Sequence, residues 1–329
     1  MIRSLYYQPK QTLRTDLSAE EYPRAVKGHG SLLWVDFSGE PPEVCEPILQ
    51  GFGFHPLSID DALQETHSPK LDDWGKYLYI VLNYVQLQGD INTGWETGID
   101  ELDIFLGPNF VITHHDEPVA ALDETWSACH RDPRTVKEGA DHLLYKIIDN
   151  IVAGYMPIVE QVDQAIDEIE DEIFDSPTPR TLERLFGLKR ALLALRRILL
   201  PQREVLNKLA RDDYLMIDPK DRIFFRDIYD HIVRLHDLSE SLRDLVGGAL
   251  DTYLSVINNR MNEVMKTLTV ITTLFMPLSF IVGFFGMNFF VSNVPVSTWV
   301  ERPVFYAILG IMLLTPFGMY FWMRHRTWV

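Results

Sequence analysis

One stripe of small, polar and methionine residues near the C-terminal end of the chain has the composition of an ion-handling surface. Its members advance by alternating steps of four and three residues, which places them on one face of a helix. The residues between them are mostly leucine, isoleucine, valine and phenylalanine. The stripe consists of Asp251, Ser255, Asn258, Asn262, Met265, Thr269, Thr272, Met276, Ser279, Gly283 and Gly286.

Such a stripe has two interpretations, because small and hydroxyl-bearing residues mediate dry helix contacts in membranes and also line water-filled pores. The pore interpretation is favoured by Asp251, which would place a ring of carboxylates at the mouth of a channel built from several copies. Met265 and Met276, with Leu268 at the border of the stripe, would form hydrophobic constrictions that close by dewetting. The predicted pore-lining residues are Asp251, Asn258, Asn262, Thr269, Thr272, Ser279 and Gly283.

Two apolar stretches match the length needed to cross a bilayer. Residues 268–285 and 303–323 contain no charged side chain, and each is close to the ~20 residues that span a hydrocarbon core. The alternative is a pair of buried helices in a large soluble core. Two spans cannot enclose a pore, so conduction would require a ring of subunits.

The flanking charges predict the orientation of the spans. Arg260 and Lys266 precede the first span, and Arg324 and Arg326 follow the second, whereas the loop between the spans carries one base and one acid. Basic flanks favour the cytoplasmic side, so we expect both termini in the cytoplasm of a cell with the protein in its inner membrane. The predicted interfacial anchors are Trp299, Trp322 and Trp328.

The rest of the chain reads as an α/β unit followed by helices. Residues 31–37, 76–87, 101–107 and 110–115 are rich in β-branched and aromatic residues and predict strands, with short helices over "PPEVCEPILQGFG" and "HPLSIDDALQ". Helical periodicity predicts one acidic helix over 137–176, a stop at "SPTP", and a more basic helix that pairs with the first. Pro219 is a candidate early residue of the next helix, which would run from Asp221 to Phe285.

These patterns predict an α+β cytosolic domain with a long helical hairpin and a stalk helix, followed by two transmembrane helices. The predicted segments are a cytosolic α/β domain at 1–135, a helical hairpin at 136–220, a stalk at 221–266, a first span at 267–288, an external loop at 289–302, a second span at 303–323 and a basic cytosolic tail at 324–329.

Composition argues against several functions. The net charge of −17 disfavours nucleic acid, because phosphate binding requires clustered Lys and Arg, and it suits a protein that handles cations. No HExxH, GxSxG or GxxxxGK[ST] motif is present, so neither an enzyme nor an organic cofactor is expected. The pairs His114-His115, Asp60-Asp61 and Asp72-Asp73 are interpreted as surface residues. The two cysteines predict no disulfide framework.

The C-terminal part of the chain resembles the CorA family of magnesium transporters. The resemblance rests on "FGMN" at 285–288, where typical members have "YGMN", and on the preceding "NRMNEVMKTLTVITTLFMPLSFIVGF". It extends to "FRDIYDHIVRLHDLSESLRDLVGGALDTYLS" and to the basic tail "RHRTWV". It implies a funnel-shaped homopentamer in which the first span lines the pore and the second faces lipid.

The resemblance also implies roles for individual residues. It assigns the selectivity filter to Gly286, Met287 and Asn288, with Asn288 as an ion ligand, and the hydrophobic gate to Met265, Leu268 and Met276. A regulatory Mg²⁺ would lie between subunits on Asp227 and on Asp90 of a neighbour. The transported ion would be Mg²⁺, with Co²⁺ and Ni²⁺ as further candidates. Many members have acidic residues after the motif, whereas "FFVSNVP" has none.

Two alternatives remain open from the sequence. A zinc-transporting branch of the same superfamily shares the architecture, although it usually has Ile at the position of Met287. A membrane-anchored coiled-coil scaffold or sensor without conduction is the alternative from a different class, and the polar stripe argues against it.

Overall fold

The computed structural model describes residues 1–9, 11, 13–28, 30–64, 68–88, 96–132, 134–287 and 302–326. The chain divides into two compact units, Met1–Leu250 and Asp251–Val329. The calls on Asn288, Asp90, Trp299, Trp328 and nearly all of the external loop lie outside the described residues.

The first unit contains a mixed sheet of seven strands within the described residues. The strand order is β2-β1-β3-β7-β6-β5-β4, and β3 pairs with β7 in parallel, whereas the other neighbours are antiparallel. The strands are β1 (Ile2–Tyr7), β2 (Arg14–Thr15), β3 (Leu32–Ser38), β4 (Lys70–Asp73), β5 (Leu78–Gln88), β6 (Glu96–Leu106) and β7 (Phe110–His115).

The four predicted strands are confirmed as β3, β5, β6 and β7, and β6 begins five residues before its predicted start. The strands β1, β2 and β4 were not predicted. β3 is buried along nearly its whole length because helices cover both faces of the sheet. On one face, Phe54 packs against Phe105 with ring centroids 4.4 Å apart, and on the other Trp34 packs 5.1 Å from Trp126.

The rest of the regular secondary structure in the described residues is helical. They are α1 (Tyr22–Ala25), α2 (Pro42–Gly51), α3 (Pro56–Gln64), α4 (Ala120–Arg131), α5 (Arg134–Lys137), α6 (Ala140–Ala153), α7 (Met156–Asp175), α8 (Pro179–Arg211), α9 (Arg222–Gly286) and α10 (Arg302–His325). The short helices α2 and α3 confirm the prediction for that region.

The prediction of one helix over 137–176 is wrong, because the chain breaks between α6 and α7. Gly154 and Tyr155 form a turn, and Pro157 occupies the first turn of α7, where proline is tolerated because no intrahelical donor is needed. Tyr155 is 1% exposed, and its hydroxyl donates to the carbonyl of Asn83 at 2.5 Å. This anchor fixes the break against β5.

The helices α7 and α8 pack together and carry charges of opposite sign, as the sequence predicts. Arg184 contacts Glu172 at 2.8 Å and Glu168 at 3.2 Å. The restart after "SPTP" is confirmed by a capping box at the start of α8, in which the side chains of Thr178 and Thr181 each accept from the other's backbone N–H.

The long helix is confirmed, since α9 contains 65 residues and is roughly 98 Å long at 1.5 Å per residue. The placement of Pro219 inside it is wrong. Pro219 lies in the preceding turn, which is closed by the bond from Asp221 N–H to Asp218 O at 2.9 Å.

Both α9 and the segment Tyr306–His325 are long and apolar enough to cross a membrane. The most apolar window of α9 contains no residue that is buried within the chain, and only 6% of the window of the second segment is buried. A core helix of a soluble protein would be mostly buried, so the soluble-core alternative does not fit these two helices.

Candidate functional site: the polar stripe of α9 and the position of Asp227

The whole polar stripe predicted from the sequence lies on one continuous helix. Every member from Asp251 to Gly286 belongs to α9, and every member is exposed within the chain. Apolar neighbours such as Val264 and Phe280 are equally exposed, at 68% and 73%. A helix with this surface requires covering by lipid or by other copies, because exposed apolar area of this extent is unfavourable in water.

The two threonines of the stripe direct their hydroxyl protons into the helix. Thr269 Oγ1 donates to Met265 O at 2.7 Å, and Thr272 Oγ1 lies 2.9 Å from Leu268 O and 3.0 Å from Thr269 O. A hydroxyl that donates in this way keeps its lone pairs on the outer side. The stripe therefore presents hydrogen-bond acceptors at these two levels, a property that the sequence alone does not reveal.

The glycines of the stripe are not required by packing within the chain. A Cβ atom added at Gly283 or Gly286 would meet no atom within 4 Å. If small residues are needed at these positions, the requirement comes from outside the single chain, either from an open lumen or from another copy.

The residues predicted to form the constrictions and the predicted start of the filter lie on exposed surface. Met265, Leu268 and Met276 are 57%, 59% and 72% exposed. Met287 directly follows α9, and its N–H lies 3.4 Å from Phe284 O. The filter position Asn288 is outside the described residues.

The position implied for a regulatory ion is also on exposed surface. Asp227 lies in the second turn of α9 and is exposed. Burial and the charge of Asp149 raise the pKa of Tyr145, and the charge of Asp227 raises it further. Among the described residues, no group of three His, Cys, Asp or Glu side chains within the chain could hold a metal ion. An ion at Asp227 would therefore need further ligands, and its proposed partner Asp90 is outside the described part of the chain.

The interpretation of His114-His115 as surface residues is wrong. The two residues are 5% and 3% exposed, because they end β7, which lies between β3 and β6 in the sheet. His115 Nε2 lies 3.3 Å from Asp36 Oδ1. Burial alone would lower the pKa of His115, but the Asp36 carboxylate and the Glu117 carbonyl, 2.6 Å from His115 Nδ1, together outweigh it, so the pKa is raised.

Asp36 is the centre of this buried polar group. It accepts from Arg3 Nε at 2.8 Å and from Thr113 Oγ1 at 2.5 Å. Burial would raise the pKa of Asp36, but His115, Thr113 and Arg3 together hold it below its usual value. The residues join β1, β3 and β7 and act on the stability of the sheet. A sign of this group in the sequence is the single acid inside the apolar run "SLLWVDF".

The first unit is a helix-covered mixed sheet, and α9 and α10 provide two candidate membrane spans, of which α9 has one polar face. These features fit a membrane protein with two spans. A family model described as CorA-like Mg²⁺ transporter protein matches residues 29–325. The chain belongs to this family and is a divalent cation transporter.

Individual relatives agree with this assignment. The chain is 34% identical to the cobalt/magnesium transport protein CorA of Thermotoga maritima, over 90% of this chain and 83% of the relative. It is 22% identical to the zinc transport protein ZntB of Yersinia enterocolitica, over 93% and 91% of the two chains. The complete structure of the CorA magnesium transporter from Methanocaldococcus jannaschii has the same fold, with a TM-score of 0.82 at 23% identity, over 99% of this chain and 98% of that chain.

Proposed function

We propose that five copies of the chain assemble around α9 and conduct hydrated Mg²⁺ into the cytoplasm, with both termini on the cytoplasmic side of an inner membrane. The observation that carries the proposal is the exposed stripe of α9, in which Thr269 and Thr272 donate their protons inward and present acceptors outward. The magnesium and cobalt named for the Thermotoga relative support the choice of ion.

The acceptor geometry suits a hydrated cation. Mg²⁺ dehydrates reluctantly and keeps several waters, and each of those waters points its hydrogens outward. A wall that offers oxygen lone pairs can bind this shell without replacing it, whereas a wall of donors would oppose it. The filter would continue the pattern with the amide oxygens of five Asn288 side chains, and Gly286 would let the neighbouring backbone approach.

The ends of the stripe have different tasks in this mechanism. Five Asp251 carboxylates would attract cations at the cytosolic mouth, and rings of Met265, Leu268 and Met276 would close the pore by dewetting. Inward flow needs no nucleotide, because the membrane potential supplies roughly 2.3 kcal/mol per charge for each 100 mV, and twice this for a divalent ion.

Cytosolic Mg²⁺ would regulate the channel through the interfaces between subunits. Each chain carries a charge of −17, so five copies repel one another, and Mg²⁺ held by Asp227 and Asp90 of a neighbour would offset this repulsion and keep the pore closed. Loss of the ion at low cytosolic Mg²⁺ would loosen the ring. Uptake that does not respond to internal Mg²⁺ at millimolar concentrations and below would contradict this regulation.

Uptake into liposomes tests the function directly. Purified protein is expected to admit Mg²⁺, and Asn288→Ala is expected to abolish uptake while the oligomer elutes unchanged from a size-exclusion column. Normal uptake by this variant would refute the filter role, and no uptake of any divalent ion by the unmodified protein would favour the non-conducting scaffold.

A second candidate is zinc transport, which is supported by the similarity to ZntB. The same liposomes loaded with a zinc indicator separate the two candidates. Faster entry of Zn²⁺ than of Mg²⁺ at equal concentration would favour zinc, whereas competition by Co²⁺ with little Zn²⁺ entry would favour the magnesium assignment.

A further inference from the structure

Buried acidic side chains join the start of α9 to the start of α6, away from the polar stripe. Asp221 directly precedes α9 and is 2% exposed, and Asp141 and His142 in the first turn of α6 are each 8% exposed. Two atoms of this group, Asp221 Oδ2 and His142 Nδ1, are buried and have no hydrogen-bond partner among the described residues. Buried polar atoms without partners are costly, so a proton, an ion or a water is expected to satisfy them.

The contacts of Asp141 tie the two helices together. Its carboxylate accepts from the N–H of His142 at 3.0 Å and from the N–H of Asp218 at 2.9 Å, which links α6 to the turn that precedes α9. The N–H of Asp221 donates to Asp218 O at 2.9 Å, so Asp218 bonds to both acids, and after burial the charge of the Asp141 carboxylate raises the pKa of Asp221. Two ionised carboxylates in this position would repel each other strongly, because little water screens them.

The surrounding charges do not neutralise this pair. His142 Nδ1 is 3.8 Å from Asp221 Oδ1 and 3.3 Å from Glu138 Oε2, so the imidazole lies between two acids. Lys220 is 68% exposed and pairs with Asp218 at 3.4 Å. Arg222 pairs with Asp213. The species that would relieve the repulsion is therefore a small cation held between Asp221 and Asp141.

A proton fits this place better than a metal ion. No group of three His, Cys, Asp or Glu side chains in the described part of the chain could hold a metal, and both oxygens of Asp141 already accept backbone N–H groups. A proton needs only one donor and one acceptor oxygen. We propose that Asp221 and Asp141 share one proton and that this proton fixes the start of α9 to α6.

The electrostatics of the pair support the proposal. Burial raises the pKa of Asp221, and the Asp141 carboxylate raises it further, against the opposing effects of Lys220 and His142. Asp221 therefore binds the proton more tightly when the start of α9 packs against α6 than when the carboxyl group of Asp221 is in water. Raising the pH through this raised pKa weakens the attachment, by at most about tenfold per pH unit for one proton. Because α9 carries the stripe, cytosolic pH would then modulate transport, a consequence that rests on the proposed function.

Hydrogen exchange of the full chain in lipid nanodiscs tests the attachment without requiring transport. The protection of amides 225–229, the first to donate hydrogen bonds along α9, is expected to fall as the pH rises from about 4.5 to about 8, after correction for the intrinsic pH dependence of exchange. Asp221→Asn carries a neutral amide of the same shape and is expected to remove this pH dependence. Asp237→Asn makes the same charge change on α9 at a side chain that is 76% exposed, and it is expected to keep the slope of the unmodified protein.

Several outcomes would overturn the proposal. They are a flat profile in the unmodified protein, a slope that persists in Asp221→Asn, or protection that follows added Mg²⁺ or Co²⁺ rather than pH. The same protein is then reconstituted into liposomes. There, Asp221→Asn is expected to flatten the dependence of Mg²⁺ uptake on internal pH. Absence of uptake by the unmodified protein would refute the proposed function. The proposal of a shared proton would still be tested by hydrogen exchange.

Discussion

Replacement of Thr272 by Val separates an ion pathway from a dry helix contact. Valine has nearly the shape of threonine but lacks the hydroxyl, so the change removes the outward lone pairs of Oγ1 and the inward bonds to Leu268 O and Thr269 O. Such bonds from a hydroxyl to its own helix contribute little to helix stability. We therefore expect folding and assembly to be preserved.

The effect on transport follows from the number of bonds lost to the hydrated ion. A hydrogen bond contributes about 1 kcal/mol net, and an ion that contacts two of the five hydroxyls at once would lose about 2 kcal/mol. Because 1.4 kcal/mol corresponds to a factor of ten, uptake of Mg²⁺ is expected to fall about 30-fold. Thr272→Ser keeps the hydroxyl and is expected to retain most of the uptake.

The chain offers a matched control in Thr267. Its hydroxyl donates to Glu263 O at 2.9 Å, as the stripe threonines donate to their own helix, but it lies about 160° around the helix from Thr269 at ~100° per residue. Thr267→Val is expected to transport normally. Uptake is measured in liposomes with a Mg²⁺ indicator. If Thr267→Val impaired uptake and Thr272→Val did not, the assignment of the stripe to a pore would be refuted.

Two further predictions concern the gate and the stability of the sheet. Met276→Asn places a polar side chain at a proposed constriction, which favours wetting of the closed pore. Uptake of Mg²⁺ at high internal Mg²⁺ is therefore expected to rise. If uptake stays as low as in the unmodified protein, the gate does not lie at this level. Arg3→Met removes a partner of the fully buried Asp36 and is expected to lower the free energy of unfolding by about 3 kcal/mol. The measurement is unfolding by denaturant, followed by the fluorescence of the first unit. In the unmodified protein the lowered pKa of Asp36 gives stability that is present above its unfolded pKa and lost as the pH falls through its folded pKa. The raised pKa of His115 gives stability that is present below its unfolded pKa and lost as the pH rises through its folded pKa. The free energy of unfolding should therefore be greatest between the unfolded pKa of Asp36 and the unfolded pKa of His115. A free energy of unfolding that does not change from acid to mildly alkaline pH would contradict this.

Periodicity predicted α9 because its polar stripe recurs over many residues. The strands β3, β5, β6 and β7 were predicted from their β-branched and aromatic residues, since strands such as β3 are buried on both faces and show no alternation. The break at Gly154 was missed because the apolar spacing continues across it, and the turn is stabilised by Tyr155 and its bond to Asn83, a contact between residues 72 positions apart. The short edge strands β2 and β4 contain too few residues for any period to be read.

The candidate site was predictable only as far as it follows a helix. The stripe of α9 could be read directly, since residues on one face of a helix recur at fixed spacing. The inward donation by Thr269 and Thr272 depends on side-chain rotamers, and the buried group at Asp221, Asp141 and His142 depends on packing between α6 and the turn before α9. Single residues in a sequence give no sign of such contacts.

The distribution of charge along the stripe fits a conductor better than a binding site. Asp251 is its only acid, and every stripe position from Ser255 to Gly286 is neutral. A divalent ion 4 Å from one carboxylate gains about 2 kcal/mol in water but about 8 kcal/mol at an effective dielectric constant of 20. The larger value would slow release by roughly a millionfold, because each 1.4 kcal/mol is a factor of ten. An acid at the wet mouth can therefore gather ions, whereas an acid deep in the span would trap them, and hydroxyl and amide oxygens that contribute about 1 kcal/mol each allow the ion both to enter and to leave.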